Sequence, residues 1–463
     1  MKNLIFHELQ QFLYGLRFFI ALAITILIFA ASSTTYISEH KETIKKYNEL
    51  TNFQEQALRE TASNTTNVAT QRRSYQLPPR NSSFISDCGE LNMPNSLLYN
   101  AFHAIDFDAN NRQSNPFLMP SDRINWGFIM LVFFSFLAVV FSFDSISGEK
   151  EKRTLALCLS NPVKRSHILL AKFLSINIVL ISLAIIGMIL ALIILMLSPI
   201  VNVTGMVFVE LGFFILFVFF FTGSMVAVGI LTSVLCRNSN ISLLLSISLW
   251  LLFMIAIPNF TQTIGMNLYP IEKVSVTQSK IQEKRIEIEA SFPDGKWTSN
   301  SGNPFLPQHE IRANMMMAFA KNEADFMNER RNGLFRQVEN MRFWTWISPL
   351  ALFEYGTEAL LDGGYPRLRR NYNDLQNFKI QYQQWFKDID AKDSESPHWY
   401  NPYEAFSTTK KQVAYDEIPQ FRERIPTLGE RLTDTLKYLT VMLAYMGIML
   451  FVAVIRFERY DVR

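Results

Sequence analysis

Six stretches of the chain are apolar over about the 20 residues that a helix needs to cross a bilayer core, and this constrains the fold more than any other feature. They fall at about 18–34, 126–143, 168–197, 206–235, 241–258 and 435–456. The second reads WGFIMLVFFSFLAVVFSF, and the fifth is expected to end at Pro258. Charged residues crowd instead into two long inserts, about 35–125 and 259–434. A chain that is 49% hydrophobic and spreads its charge this unevenly reads as a membrane bundle plus a water-exposed part. The expected fold class is an all-α membrane protein: six transmembrane helices, an N-terminal interfacial helix and largely helical extracytoplasmic inserts. The net charge of +3 is too small to point to nucleic acid as a partner. Cys88, Cys158 and Cys236 lie far apart with no CxxC pair, so no metal site or redox motif is expected.

Residues 1–17, MKNLIFHELQQFLYGLR, put Leu4, Ile5, Leu9, Phe12, Leu13 and Leu16 on one helical face, the pattern of an interfacial helix. A secretory signal peptide is the competing reading, because Ala30, Ala31 and Ser32 are small. The leader is long and amphipathic for that role. Orientation follows from Lys and Arg in short loops. The loop after the second stretch holds Lys150, Lys152, Arg153, Lys164, Arg165 and Lys172. The turn after the fourth holds Arg237, and the end of the chain holds Arg456, Arg459 and Arg463. The turn Ser198 to Gly205 holds neither Lys nor Arg. Both termini, the tail 457–463 and the loop 144–167 are therefore expected in the cytoplasm, with both inserts outside.

Ile44, Tyr47, Leu50 and Phe53 predict a helix continuing out of the first span. The stretch from Gln71 to Pro120 reads as loop-rich. Asp106, Asp108 and Asn110 begin like a calcium loop but lack the Gly at its sixth position and the acid at its twelfth. In the second insert, helices are predicted over Ile271–Ala290, Glu310–Arg342 and about Arg367–Ala391, with LALFEYGTEALLDGG closed by Gly363 and Gly364. Phe343, Trp344 and Trp346 suit a membrane interface or a buried core. A spacer that packs on its neighbour and a surface that binds an extracytoplasmic protein both fit this pattern.

The most informative stretch is FDSISGEKEKRTLALCLSNPVKRSHILLAKFL, Phe143 to Leu174. Ser147–Leu159 predicts a short helix with Glu149 and Glu151 near its start, where the helix dipole favours them. Asn161-Pro162 breaks it, and a second helix begins near Arg165. An ordinary basic loop and a docking element for a cytoplasmic partner both fit this pattern.

This stretch resembles the loop of type-2 ABC transporter permeases, F-D-x-I-x-G-E-x-E-x-G-T-L-x-x-L-L-S-x-P-x-x-R followed by a Lys. It matches at Phe143, Asp144, Ile146, Gly148, Glu149, Glu151, Thr154, Leu155, Ser160, Pro162, Arg165 and Lys172. It departs at Arg153, where the family often has Gly, and at Cys158, where Leu is common. ISPLALFEYGTEALLDG and the ending FERYDVR resemble a bacterial subfamily with a large insert between the fifth and sixth spans. The resemblance implies a permease subunit of an ABC exporter in the cell (inner) membrane. Gly148, Glu149, Glu151, Thr154, Leu155, Pro162 and Arg165 would then couple it to a cytoplasmic ATPase subunit. It also implies a second permease copy or a related chain. The sequence has no GxxxxGK[ST] loop, so the chain is expected to hold no cofactor, and ATP and magnesium belong to the partner.

Glu210, in VFVELGFF, is the one further intramembrane candidate, for a transport role or an interfacial one. No Ser/His/Asp or HExxH constellation supports a membrane enzyme. A membrane-anchored scaffold, or a subunit transmitting force to an extracytoplasmic partner, is the alternative.

Overall fold

The computed structural model describes residues 2–90, 93–107, 124–155, 163–296, 306–403 and 408–460. It is 75% helical, and six helices are long and apolar enough to cross a membrane. Span one occupies the first half of a single helix, Leu16–Thr61, whose second half projects beyond the bundle as predicted. Trp126–Phe128, Ile129–Phe134 and Ser135–Ser142 run end to end as span two. Spans three, four and six are Arg165–Met196, Gly205–Leu235 and Leu428–Glu458. Span four is the most enclosed, and it packs on spans two, three and six. The helix Lys2–Leu13 lies against span three, with Leu4, Ile5, Leu9 and Phe12 half-buried and Leu13 exposed.

Span five departs from expectation. It was read as ending at Pro258, yet Ser239–Leu251, Leu252–Ala256 and Ile257–Leu268 form one continuous run. The middle piece is π-helical, and the Ile257 N–H reaches back five residues to the Leu252 carbonyl. In that register the Phe253 carbonyl would accept the N–H of residue 258, which proline lacks. The buried Ser348 hydroxyl donates to it at 2.9 Å. A side chain from elsewhere in the chain thus replaces the hydrogen bond that should have stopped the helix.

Ser348 belongs to the second surprise. The insert 259–434 was expected to lie wholly outside the spans, but Pro349–Leu361 turns back and packs between spans four and six. Phe353 is buried against Phe214, Phe217 and Phe221, at ring separations of 5.9, 5.8 and 4.4 Å. Phe221 lies about half-way along the 31-residue span four. Gly356 permits this approach, because a Cβ there would overlap the Phe217 ring. At the tip of the hairpin, Phe343, Trp344 and Ile347 are exposed, which suits a lipid-facing surface.

The rest of both inserts forms one body. Val274–Ser291, Pro307–Trp344 and Gly364–Asp390 are its helices, close to the predicted ranges. A short helix, Thr65–Thr70, precedes the stretch read as loop-rich, and that stretch is not all loop. It contributes an antiparallel sheet β1-β2-β3 of Arg73–Gln76, Ser96–Tyr99 and Asp106–Phe107. Leu97 and Tyr99 of the first insert share a core with Tyr372 and Leu375 of the second. Arg367 pairs with Glu423 at 2.6 Å and Glu90 at 3.2 Å, and Arg80 joins Glu90 at 2.9 Å and the Leu361 carbonyl at 3.1 Å. Burial works to raise the Glu423 carboxyl, but Arg367, Asn371 and Arg370 together hold it below its ordinary range. Asp106 pairs with Arg331 at 2.7 Å, while Asp108 and Asn110 lie outside the described residues. The helix Pro349–Leu361 ends on Asp362, which takes the left-handed conformation (φ 52°) expected of Gly363. Gly363 is extended instead, and Gly364 has φ 64°.

Replacing Ser348 with Ala leaves the Phe253 carbonyl unpaired and should lower stability by about 1–3 kcal/mol. In a Pro258→Ala background, which restores an N–H, S348A should cost less, only the cap of the Ser348 hydroxyl on the Ala351 N–H being lost. Thermal unfolding of the purified chain and its three variants in lipid nanodiscs reads this directly; an equal loss in both backgrounds would refute the pairing.

Candidate functional site

The loop after span two is tied to the bundle by several polar groups among its described residues. Its centre is Lys172, buried in the first turns of span three. The ammonium lies 2.8 Å from Glu8 of the N-terminal helix and 2.7 Å from Glu149 of the short helix Ser147–Glu151. A lone buried ammonium is costly, so the two carboxylates make the position tenable, and in doing so join three elements.

The neighbouring side chains close the ends of other spans, where backbone groups lack helical partners. Lys150 Nζ donates to the carbonyls of Val234 and Cys236 at 2.5 and 2.9 Å, at the end of span four, and lies 4.5 Å from the Tyr460 ring centre. Glu151 accepts the N–H of Ser239, the first residue of span five, at 3.1 Å. Arg165 donates to the carbonyls of Phe457, Glu458 and Tyr460 at 3.2, 3.0 and 2.7 Å, closing span six. The Ser233 hydroxyl of span four accepts the N–H groups of Ile146 and Ser147, both at 2.9 Å. Ser242 of span five donates to the Phe143 carbonyl at 2.6 Å, and Arg17 pairs with Asp144 at 2.9 Å.

The short helix was expected over Ser147–Leu159; it stops at Glu151. The Arg153 N–H bonds to the Lys150 carbonyl at 3.2 Å, and the Thr154 N–H to the Glu149 carbonyl at 3.0 Å. That pair of bonds is the Schellman closure, and it needs a left-handed residue at Arg153, whose φ is 58°. The resembling permeases often have Gly at this position, the residue that takes the conformation without strain.

The seven residues put forward for coupling therefore separate. Glu149 and Arg165 act inward as loop-to-bundle ties, and Glu151, itself exposed, ties the loop to the start of span five. Leu155 is buried in the main core. Thr154 is exposed, beside Lys152 and Arg153. Gly148 is demanded by neither backbone nor space: an added Cβ would meet Asp144 Cβ at 3.5 Å and Ser239 Oγ at 3.6 Å, ordinary contact distances. Pro162, like Ser160 and Cys158, lies outside the described residues. Sequence reasoning missed Lys150 and Ser233 as ties and placed Glu8 only within the interfacial helix. The available signal was Lys172 itself, a cation at the mouth of an apolar run that had to find a partner.

Glu210 is not free to act alone. Arg431, in the second turn of span six, lies 2.6 Å from it, and the same guanidinium nitrogen donates to the Leu360 carbonyl at 3.2 Å. Both side chains are buried, so the pair joins spans four and six to the helix Pro349–Leu361. Among the described residues no group of His, Cys, Asp and Glu could hold a metal ion.

Lys172→Met leaves Glu8 and Glu149 facing each other and should cost about 3 kcal/mol, the low end for a broken buried pair, since both carboxylates keep some water contact. Thermal unfolding in nanodiscs measures the loss, and adding E8Q and E149Q to K172M should recover much of it. Arg153→Gly relieves the left-handed strain and should stabilise the turn by about 1 kcal/mol. Slower amide exchange over 147–155 is the expected sign, and unchanged or faster exchange would count against the closure.

The comparisons with known proteins meet this geometry at the level of the family. A family model described as ABC-2 family transporter protein matches residues 2–462. A search of curated proteins found no match. With six apolar spans in a largely helical fold and this match across its length, the chain belongs to the ABC-2 transporter family and is a multi-pass membrane permease subunit.

Proposed function

We propose that this permease is an exporter subunit driven by a separate cytoplasmic ABC ATPase that seats on the exposed turn Lys152–Thr154. The observation that carries the reading is the set of ties behind that turn. Through Lys172, Lys150, Glu151 and Arg165 the loop end is bonded to spans three to six and to the N-terminal helix. A displacement of the turn by a closing ATPase pair would therefore reach the spans through charge-assisted hydrogen bonds. The Lys and Arg concentrated at this end support a cytoplasmic loop and cytoplasmic termini, in the cell (inner) membrane of the bacterial subfamily it resembles. ATP and magnesium would bind in the partner. A second permease, identical or related, would complete the transporter above paired ATPases.

The outer body supports a second reading. Both inserts share one core, Arg80 fastens it to the end of the helix Pro349–Leu361, and Arg431 ties that helix end to span six. That arrangement suits transmission of force from the ATPase to an extracytoplasmic protein without cargo crossing.

The test is purification of the tagged chain from its native membrane with any associated ATPase. K152E combined with R153E should reduce the co-purified ATPase by about tenfold or more while leaving the thermal midpoint of the permease unchanged, as expected for rim charges at a docking face. Full retention of the ATPase would remove the docking face, and no ATPase with the wild-type chain would remove the reading. ATP-dependent loss of cargo from the cytoplasmic side of vesicles separates export from force transmission.

A further inference from the structure

A cavity of about 370 Å³ opens between spans two and five, the helix Pro307–Trp344 and the helix Pro349–Leu361. Its size falls in the range of small-molecule sites. Most of its wall is apolar: Leu131 of span two, Phe253 and Met254 of span five, Val338 and Met341 of the outer helix, and Leu350. Leu131, Phe253 and Met254 all sit in π-helical turns, so both spans are locally widened where they border the cavity. Such turns recur at functional sites.

One acidic side chain faces this space without a partner. Glu354 lies on the wall between the buried Phe353 and the half-buried Tyr355, and is itself exposed. It makes no hydrogen bond or ion pair among the described residues. Arg342 acts on it electrostatically but is bonded elsewhere. Arg342 is committed to Glu358 at 2.5 Å and lies 3.7 Å over the Tyr355 ring. Glu358 and Asp87 add further negative charge nearby. The cavity therefore combines an apolar body with an unmatched carboxylate at one wall.

We propose that this cavity binds a lipophilic amine, an apolar chain lying against spans two and five with its protonated nitrogen on the Glu354 carboxylate. An ammonium would give Glu354 the charge-assisted hydrogen bond that the protein withholds from it. A fatty acid would set a second carboxylate against Glu354 and Glu358, and a neutral alcohol would bring no charge. The site goes beyond the exporter reading and does not rest on it, since binding here needs neither an ATPase nor transport.

The experiment follows the thermal stability of the purified chain in zwitterionic nanodiscs as dodecylamine, dodecanol or dodecanoate is titrated, because a ligand that binds the folded state raises its midpoint. Dodecylamine should stabilise the wild-type chain at concentrations where dodecanol and dodecanoate do not. Glu354→Gln keeps the side-chain shape and breaks no internal bond, so the unliganded midpoint should hold. The apparent dissociation constant for the amine should rise about tenfold or more. Partition of amine into the lipid is the same in both samples and cancels. Val338→Phe, which fills the cavity from its outer wall, should weaken amine binding without touching any charge. Equal binding by E354Q, equal binding by V338F, stabilisation by dodecanoate as strong as by dodecylamine, or no effect of the amine on the wild-type chain would each overturn the proposal.

Discussion

A lysine ammonium buried between two carboxylates holds one end of this bundle together. Lys172 enters span three with only Glu8 and Glu149 to neutralise it, and those residues come from two different elements. Removing water from a charge requires a partner at close range, so the N-terminal helix and the short loop helix are both placed by the same demand. Once Glu149 is anchored, its neighbours are aimed. Lys150 points at the end of span four and Glu151 at the start of span five. Three consecutive loop residues thus meet three different spans.

The opposite end is organised by backbone need as much as by charge. Pro258 leaves the Phe253 carbonyl without its helical donor, and Ser348 answers it from the tip of the returning hairpin. The same hairpin buries Phe353 among the rings of span four and ends beside the Glu210–Arg431 pair. Its aromatic payload supplies the packing, and the serine and arginine bonds set its depth and direction. Spans two and five, each with a π-helical turn, border the space that this hairpin leaves open.

Several features of the site were legible from residue order, and others were not, for identifiable reasons. The spans followed from apolar length, and the helix Val274–Ser291 from spacing. The three strands did not, because a four-residue run such as RSYQ carries too little alternation to separate it from a loop. Arg153 stood out only as a departure from a resembling pattern. Its φ of 58° supplies the cause, since the closure of the short helix requires a left-handed residue. Asp362 made the same substitution at the end of Pro349–Leu361, beside two glycines that take this conformation without strain. Proline at 258 is a strong local signal, yet it was outweighed by the Ser348 hydroxyl, 95 residues from the carbonyl it serves.

By itself, the sequence determined that this chain lies in a membrane, how many apolar helices it has, and which loop carries the family pattern. These depend on length, hydropathy and local residue identity, which act over a few turns of chain. Only the tertiary structure decided that Glu149 and Arg165 turn inward and that Glu151, still exposed, bonds the start of span five. It alone sent Pro349–Leu361 back among the spans and gave Glu210 a partner 221 residues away. Each of these outcomes was set by a buried charge or an unpaired backbone group finding its complement, and the chain order does not say which distant residue will be within reach.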